Sequence, residues 1–283
     1  RPVRRPAPRP PSEARPRRFS ATEVETLIRD PYAIYAKRVL GLRALDPLGR
    51  EIDARDRGVA LHGVLAAFLL RRIAGETDLA AAFDAAAREE IAKTHAPEAL
   101  RRLWLARMRR LAPVFLAEES LRAAEGTPLA PEMKGVRTEG DVTLRAVADR
   151  IDRLQDGTLA LYDYKTGAIP SEKQIAAYAK QMPLEAAIAE AGGFKAAPAA
   201  RVLRLAHVSL SGGRGGGAAQ PVEGDPSALA AEAWDGLLTL LDRYDDPATG
   251  YLARARPERL KYASDYDHLA RFGEWEDGAE WRA

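Results

Sequence analysis

The sequence contains no cysteine. That absence excludes disulfides, thiol nucleophiles and any zinc or iron–sulfur site built on thiolates. No apolar run approaches the roughly 18 residues that a membrane-spanning helix needs, and no charged-then-apolar secretory leader opens the chain. These two absences predict a soluble, cytoplasmic chain. The GxxxxGK[ST] phosphate cradle is also missing, so no ATP site is expected here.

What is present divides unevenly. The formal charge of +2 hides a leader, residues 1–18 (RPVRRPAPRPPSEARPRR), that carries +6 and leaves −4 on the rest. A Pro/Arg-rich stretch with so little apolar surface reads as an extended, disordered linker that starts abruptly, as if cut from a longer polypeptide. Its arginines would attract polyanions. With 46% hydrophobic residues in 283, the remainder can bury a proper core as one large domain or two small ones.

Helical spacing dominates the first half. SATEVETLIRDPYAIYAKRVL opens with a Ser20 or Thr22 cap and meets a breaker at Pro31, and 56–74, 78–94 and 97–123 repeat apolar residues with the helical period. From about 135 the period becomes two, through VRTEGDVTLRAVADRIDRL and TLALYDYKT. SEKQIAAYAKQMPLEAAIAEAG then reads as one helix, AARVLRLAHVSLS as a strand, SGGRGGGAAQPVEGDPS as a plain linker, and Ala228–Tyr244 and the stretch from Ser264 as closing helices. The expected fold is α/β (α+β): a mixed central sheet flanked by helices, with a helical part at 19–125, a sheet-containing core at 135–210 and a helical segment at 226–283.

The hairpin is the informative part. If Gln155, Asp156 and Gly157 form a three-residue loop with Gly157 left-handed, paired positions sum to 312 and Asp149 faces Asp163. Alternation puts Lys165 on the face of Asp163 and sends Asp152 to the other side. Facing like charges destabilise a ladder, and Ile151 and Leu161 share their face, so the carboxylates need a partner. Mg²⁺ suits oxygen ligands of this kind: Asp149, Asp163 and the backbone carbonyl of Tyr164. Lys165 beside it would position a water and stabilise charge on a phosphate. An ordinary solvated strand face is the competing reading.

The order GVALHGVL, VADRIDRL, LALYDYKTG, QMPLEAAI resembles the RecB-type nuclease domain of the PD-(D/E)XK superfamily, most closely the C-terminal domain of AddB double-strand-break repair proteins, over residues 19–283. The resemblance implies a restriction-endonuclease-like core and a Mg²⁺-dependent DNA exonuclease, Mn²⁺ being able to substitute. It implies His62 as a further metal ligand, although a histidine beside Leu61 and Leu65 also reads as a core residue. Asp149, Asp163 and Lys165 would be the catalytic group. Gln181 would support the site and touch DNA; an alternative Gln174 and Tyr178 pair lies earlier, and Glu185 stands where many relatives have tyrosine. Arg145 and Arg150, with Arg153, Lys173 and Lys180 nearby, would add positive field for DNA. Some relatives carry an iron–sulfur cluster whose cysteines are missing here at Asp30 and in YASDYDHLAR, so packing of the C-terminal segment on the first helix must replace it. Implied partners are DNA as single-stranded or unwound ends, an AddA-type helicase subunit and the remainder of an AddB chain, in the bacterial cytosol. A catalytically silent DNA-binding scaffold and a stand-alone RecB-like exonuclease are the alternatives.

Overall fold

The computed structural model describes residues 4–45, 51–211, 216–256 and 263–275. Strand β1 (Arg18–Ser20) leads into α1 (Ala21–Arg29), the single turn α2 (Pro31–Ile34) and a π-helical stretch, Tyr35–Val39. Helices α3 (Ala54–Ile73), α4 (Leu79–Ala92) and α5 (Glu98–Glu125) follow, then strands β2 (Gly126–Glu139), β3 (Val142–Leu154) and β4 (Leu159–Lys165). The short α6 (Glu172–Ala177) and α7 (Gln181–Glu190) precede β5 (Val202–Ser209), β6 (Ala219–Pro221) and α8 (Pro226–Arg243). The result is a mixed sheet between helical layers, the expected class.

Local chemistry sets the element ends. Ser20 caps α1 through a capping box: its Oγ accepts the Glu23 N–H at 3.1 Å, and the Glu23 carboxylate accepts the Ser20 N–H at 3.0 Å, an arrangement worth about 1 kcal/mol. The single helix expected over 171–192 is two, α6 and α7. Pro183 explains the break. In a continuous helix it would lack an N–H and clash with the preceding turn, whereas in the first turn of α7 no N–H is needed.

Strand β3 organises the sheet. One edge pairs antiparallel with β2 along its length. The other edge is shared: β1 runs parallel to Thr143–Arg145, and β4 pairs antiparallel with Ile151 and its neighbours from Arg150 to Arg153. Between those partners the edge from Ala146 to Asp149 is left open. β5 adds parallel to β4 and β6 antiparallel to β5.

Each face buries its own core. Leu144, Ile151, Leu161 and Leu205 pack under α1, α7 and α8 with Val24, Leu184 and Trp234. Ala160, Tyr162, Tyr164 and Val208 pack under α3, α4 and α5 with Leu61, Phe68, Phe83 and Phe115. Alternation along β4 therefore puts odd positions toward α7 and even positions toward α3–α5. Each buried Leu or Ile contributes on the order of 1.5–3 kcal/mol relative to exposure, which pins the register that the site depends on.

Two expectations are corrected. Residues 4–18 are docked, with a 3₁₀ turn at Ser12–Ala14, not a disordered linker. The carbonyls of Pro6 and Pro8 accept the N–H groups of Ala253 and Tyr251 at 2.9 Å each. The buried Arg15 guanidinium donates to the carbonyls of Pro10, Tyr244, Asp246 and Pro247. Backbone donors and one buried cation supply what the leader's side chains lack in apolar area. The stretch from Ser264 is a run of turns through Trp275 instead of an amphipathic helix; Asp267 accepts both the Ser264 N–H and the Arg254 guanidinium, and Arg271 and Gly273 turn left-handed. Residues 276–283 of that segment and 212–215 of the glycine-rich loop lie outside the described residues. The C-terminal segment does pack on the first helices: Tyr32 and Ala36 bury against Ala253, Ala270 and Trp275, and Asp30 accepts the Arg254 N–H at 2.8 Å. No helix among the described residues is long and apolar enough to cross a membrane.

Candidate active site

The hairpin loop has the expected form. Gly157 sits at φ +86°, a conformation that L side chains rarely adopt. Arg150↔Tyr162 and Ile151↔Leu161 follow the sum of 312. The β3–β4 ladder stops at Arg150↔Tyr162, and the next N–H on that edge, of Tyr164, donates to Oδ2 of Asp149 at 2.8 Å. A residue's N–H and C=O share one edge of its strand, so the Tyr164 carbonyl faces the Asp149 side. Asp149 thus lies at the open stretch of the β3 edge.

Asp163 is the hub. Its carboxylate, 2% exposed as a residue, accepts from Lys165 Nζ at 2.9 Å and Gln181 Nε2 at 3.2 Å on Oδ1, and meets His207 Nδ1 at 3.0 Å on Oδ2. Burial opposes ionisation here, but the hydrogen bonds and charges of His207 and Lys165 hold the Asp163 pKa below its ordinary value. Burial likewise opposes the charge of Lys165, and Asp163, with Asp149 and Glu185, more than offsets it, so Lys165 stays a cation. Its Nζ also lies 3.3 Å from Gln181 Oε1. His62, on α3, reaches across to Asp149, with Nδ1 3.4 Å from Oδ1. Against burial, the hydrogen bond and charge of Asp149 raise the His62 pKa.

The structure therefore brings His62, Asp149, Asp163, Tyr164, Lys165 and Gln181 together. It separates Asp152 and Gln174: Asp152 points to the other face, and Gln174 closes the capping box of α6 with Ser171. Arg145 is exposed on the rim of a groove of ≈ 490 Å³ that Gln181, Glu185 and Lys134 also line. Arg150 is a correction. It is 1% exposed, donates to Asp152 at 2.6 Å through two nitrogens and to Glu119 at 2.6 Å, and cannot reach DNA. Its side chain points toward α5, where Glu119 and the strand's own Asp152 neutralise it.

Two residues of the site were given no role by the sequence reading. Glu185, 3% exposed, accepts from Gln181 Nε2 at 3.0 Å. Burial first, then the charges of Asp163 and Asp149, push its pKa well above the ordinary value. The i,i+4 spacing from Gln181 was the available signal. His207, in a strand of buried neighbours, was signalled only by being the lone ionisable residue in LAHVS; its pairing with Asp163 depends on the β4–β5 crossover register.

Among the described residues no three His, Asp or Glu side chains converge as a ready-made metal cage; the carboxylates lean on the protein's own donors. The donor set nonetheless fits a hard divalent cation: two carboxylates and a carbonyl supply oxygen, and an imidazole adds a nitrogen acceptable to Mn²⁺.

Comparison with known proteins finds relatives of this chain. The uncharacterized protein RC0550 of Rickettsia conorii is 30% identical over 169 residues, 56% of this chain and 20% of that protein. An uncharacterized protein of Rickettsia felis is 30% identical over 173 residues, 58% of this chain and 20% of its own length. The chain thus spans about a fifth of the length of the curated relatives it matches. The crystal structure of SSO0001 aligns with 80% of this chain and 77% of its own at 12% identity and a TM-score of 0.31, too low to carry an argument. The family profile described as the PD-(D/E)XK nuclease superfamily matches residues 18–264, from β1 past the last helix, and the chain belongs to that superfamily.

Proposed function

We propose that this chain is a metal-dependent deoxyribonuclease domain that trims DNA ends as an exonuclease within a helicase–nuclease assembly serving recombinational repair. Nucleases of the superfamily generally use divalent metal ions. The observation that carries the reading is the convergence of His62, Asp149, Asp163, Lys165 and Gln181 at the open edge of β3. Asp149, Asp163, His62 and the Tyr164 carbonyl would hold Mg²⁺, or Mn²⁺ in its place. Such a cation, when bound, supplies Lewis-acid neutralisation of phosphate charge and lowers the pKa of an attacking water.

The chain's own groups do the rest. Lys165 remains protonated, so it acts as a fixed positive charge and hydrogen-bond donor and not as a base. Beside the reacting phosphate it stabilises charge that grows toward the transition state. Asp163 and Gln181 hold its ammonium before substrate arrives, which removes the cost of ordering a long side chain during the reaction. Gln181 also ties Asp163 to Glu185, linking α7 to β4.

The ordered blocks His62, Asp149, Asp163–Lys165 and Gln181 support an AddB-type domain. An AddA-type helicase and the remainder of such a chain would then supply ATP-driven unwinding, in the bacterial cytosol. The test is incubation of the chain with end-labelled single- and double-stranded DNA in Mg²⁺, Mn²⁺ or EDTA. Metal-dependent shortening from the labelled ends supports the reading. Binding without cleavage, even with an AddA-type helicase added, points to a scaffold.

A further inference from the structure

We infer that the cleft between the leader and the π-helical stretch is a second DNA-binding site, which holds the phosphates of a single strand beyond the bond that is cut. The role of that grip rests on the nuclease reading; the binding itself does not. The cleft has a volume of ≈ 500 Å³ and is lined by Arg15, Arg17 and Arg18 from the leader and by Lys37, Arg38 and Arg43 from the segment after α2, against one acid, Glu13. The body of the chain outside the leader is net acidic, so this concentration of cations stands apart from it.

The cations are not equally engaged. Arg15 is spent on backbone carbonyls. Arg17 pairs with Asp141 and Asp245, and Lys37 and Arg38 share Glu23. Arg18 and Arg43 are exposed and have no side-chain partner among the described residues, which leaves two guanidinium groups facing solvent in a concave, like-charged wall. Guanidinium groups in such a setting favour bidentate contacts with phosphate oxygens.

Position links the cleft to the site. β1 lies against β3 with Arg18 opposite Thr143 and Ser20 opposite Arg145. Ser20 and Arg145 in turn line the groove that ends at Gln181 and Glu185. Cleft and groove therefore meet along β1. From Thr143 to Asp149 is six strand residues, roughly 20 Å, a length of about six nucleotides at the ~3.4 Å rise of a stacked strand. Among the described residues no aromatic ring lines either cavity, so contacts there fall on the backbone, independent of sequence.

The experiment measures binding of fluorescent dT20 to the chain in EDTA by anisotropy across a salt series. The variants are Arg18→Glu/Arg43→Glu, the milder Arg18→Gln/Arg43→Gln, and a control with the same charge change on the helical layer, Arg88→Glu/Arg102→Glu. The cleft variants are expected to lower affinity about tenfold at low salt and to flatten the log K against log salt slope by ~1.4, since each lost single-strand phosphate contact removes ~0.7. The control is expected to change neither. Equal behaviour of cleft and control variants overturns the proposal. Cleavage of the same oligonucleotide in Mg²⁺ is scored separately: cleft-dependent binding without cleavage keeps the cleft and removes the nuclease reading, and cleavage without cleft-dependent binding does the reverse.

Discussion

Lys165 Nζ lies 2.9 Å from Oδ1 of Asp163, on the same face of β4 and two residues away. The pair is held in place by Gln181, which accepts from the lysine and donates to the aspartate. Lys165→Ala is expected to reduce metal-dependent cleavage by about 10²–10³-fold, the usual cost of losing one preorganised donor at developing charge. Initial rates with saturating metal check this. A loss below tenfold would remove Lys165 from the reaction.

Arg150 is buried between Asp152 and Glu119, with Tyr162 under its guanidinium at 5.3 Å. Arg150→Met leaves Asp152 in the interior without its cation, while Glu119 keeps Arg72 and Arg122. Breaking such a pair costs about 3–5 kcal/mol, which urea unfolding should detect. The salt slope of DNA binding is expected to stay at the wild-type value, because this arginine never meets phosphate.

Glu185 sets a pH signature for stability in EDTA. Its folded pKa is raised above the ordinary 4.5. The stability it contributes is therefore fully present below 4.5 and is lost as pH rises through the raised folded value. Glu185→Gln keeps the amide partner for Gln181 and has no proton to lose. The variant should melt above wild type at pH 8, and the gap should close as pH falls toward 4.5. A gap independent of pH would contradict burial of an ionisable Glu185.

Arg15 fastens the leader. Arg15→Ala leaves the carbonyls of Tyr244 and Pro10 without their donor in a buried position, at a cost of about 2 kcal/mol. Thermal melting should fall by several degrees, and proteolysis within residues 4–18 should speed up. Unchanged melting would return the leader to the solvated linker its composition predicts.

That leader shows where sequence reading ran out. Its contacts are made by backbone carbonyls and by Arg5, Arg15 and Arg17, most of them to residues more than 200 positions away, and composition carries no trace of them. Arg150 failed for the same reason: its parity with Asp152 was readable, but not that this pair faces α5, where Glu119 waits. The hairpin was legible because everything it needed was local. A three-residue loop ending in Gly157 sets the pairing, the pairing sets parity, and parity separates Asp149 from Asp152. Gln181 was legible by resemblance, and Glu185 sat one helical turn beyond it. His207 needed the parallel β4–β5 register, which a crossover of more than 30 residues conceals.

Asp149 and Asp152 lie three residues apart on one strand and on opposite faces, so replacing each by asparagine is the most direct test of the account. Initial cleavage rates of end-labelled DNA in Mg²⁺, at a temperature where both variants are folded, should be at background for Asp149→Asn and close to wild type for Asp152→Asn. Activity in Asp149→Asn together with its loss in folded Asp152→Asn would put the reacting group on the other face of the sheet and contradict the site described.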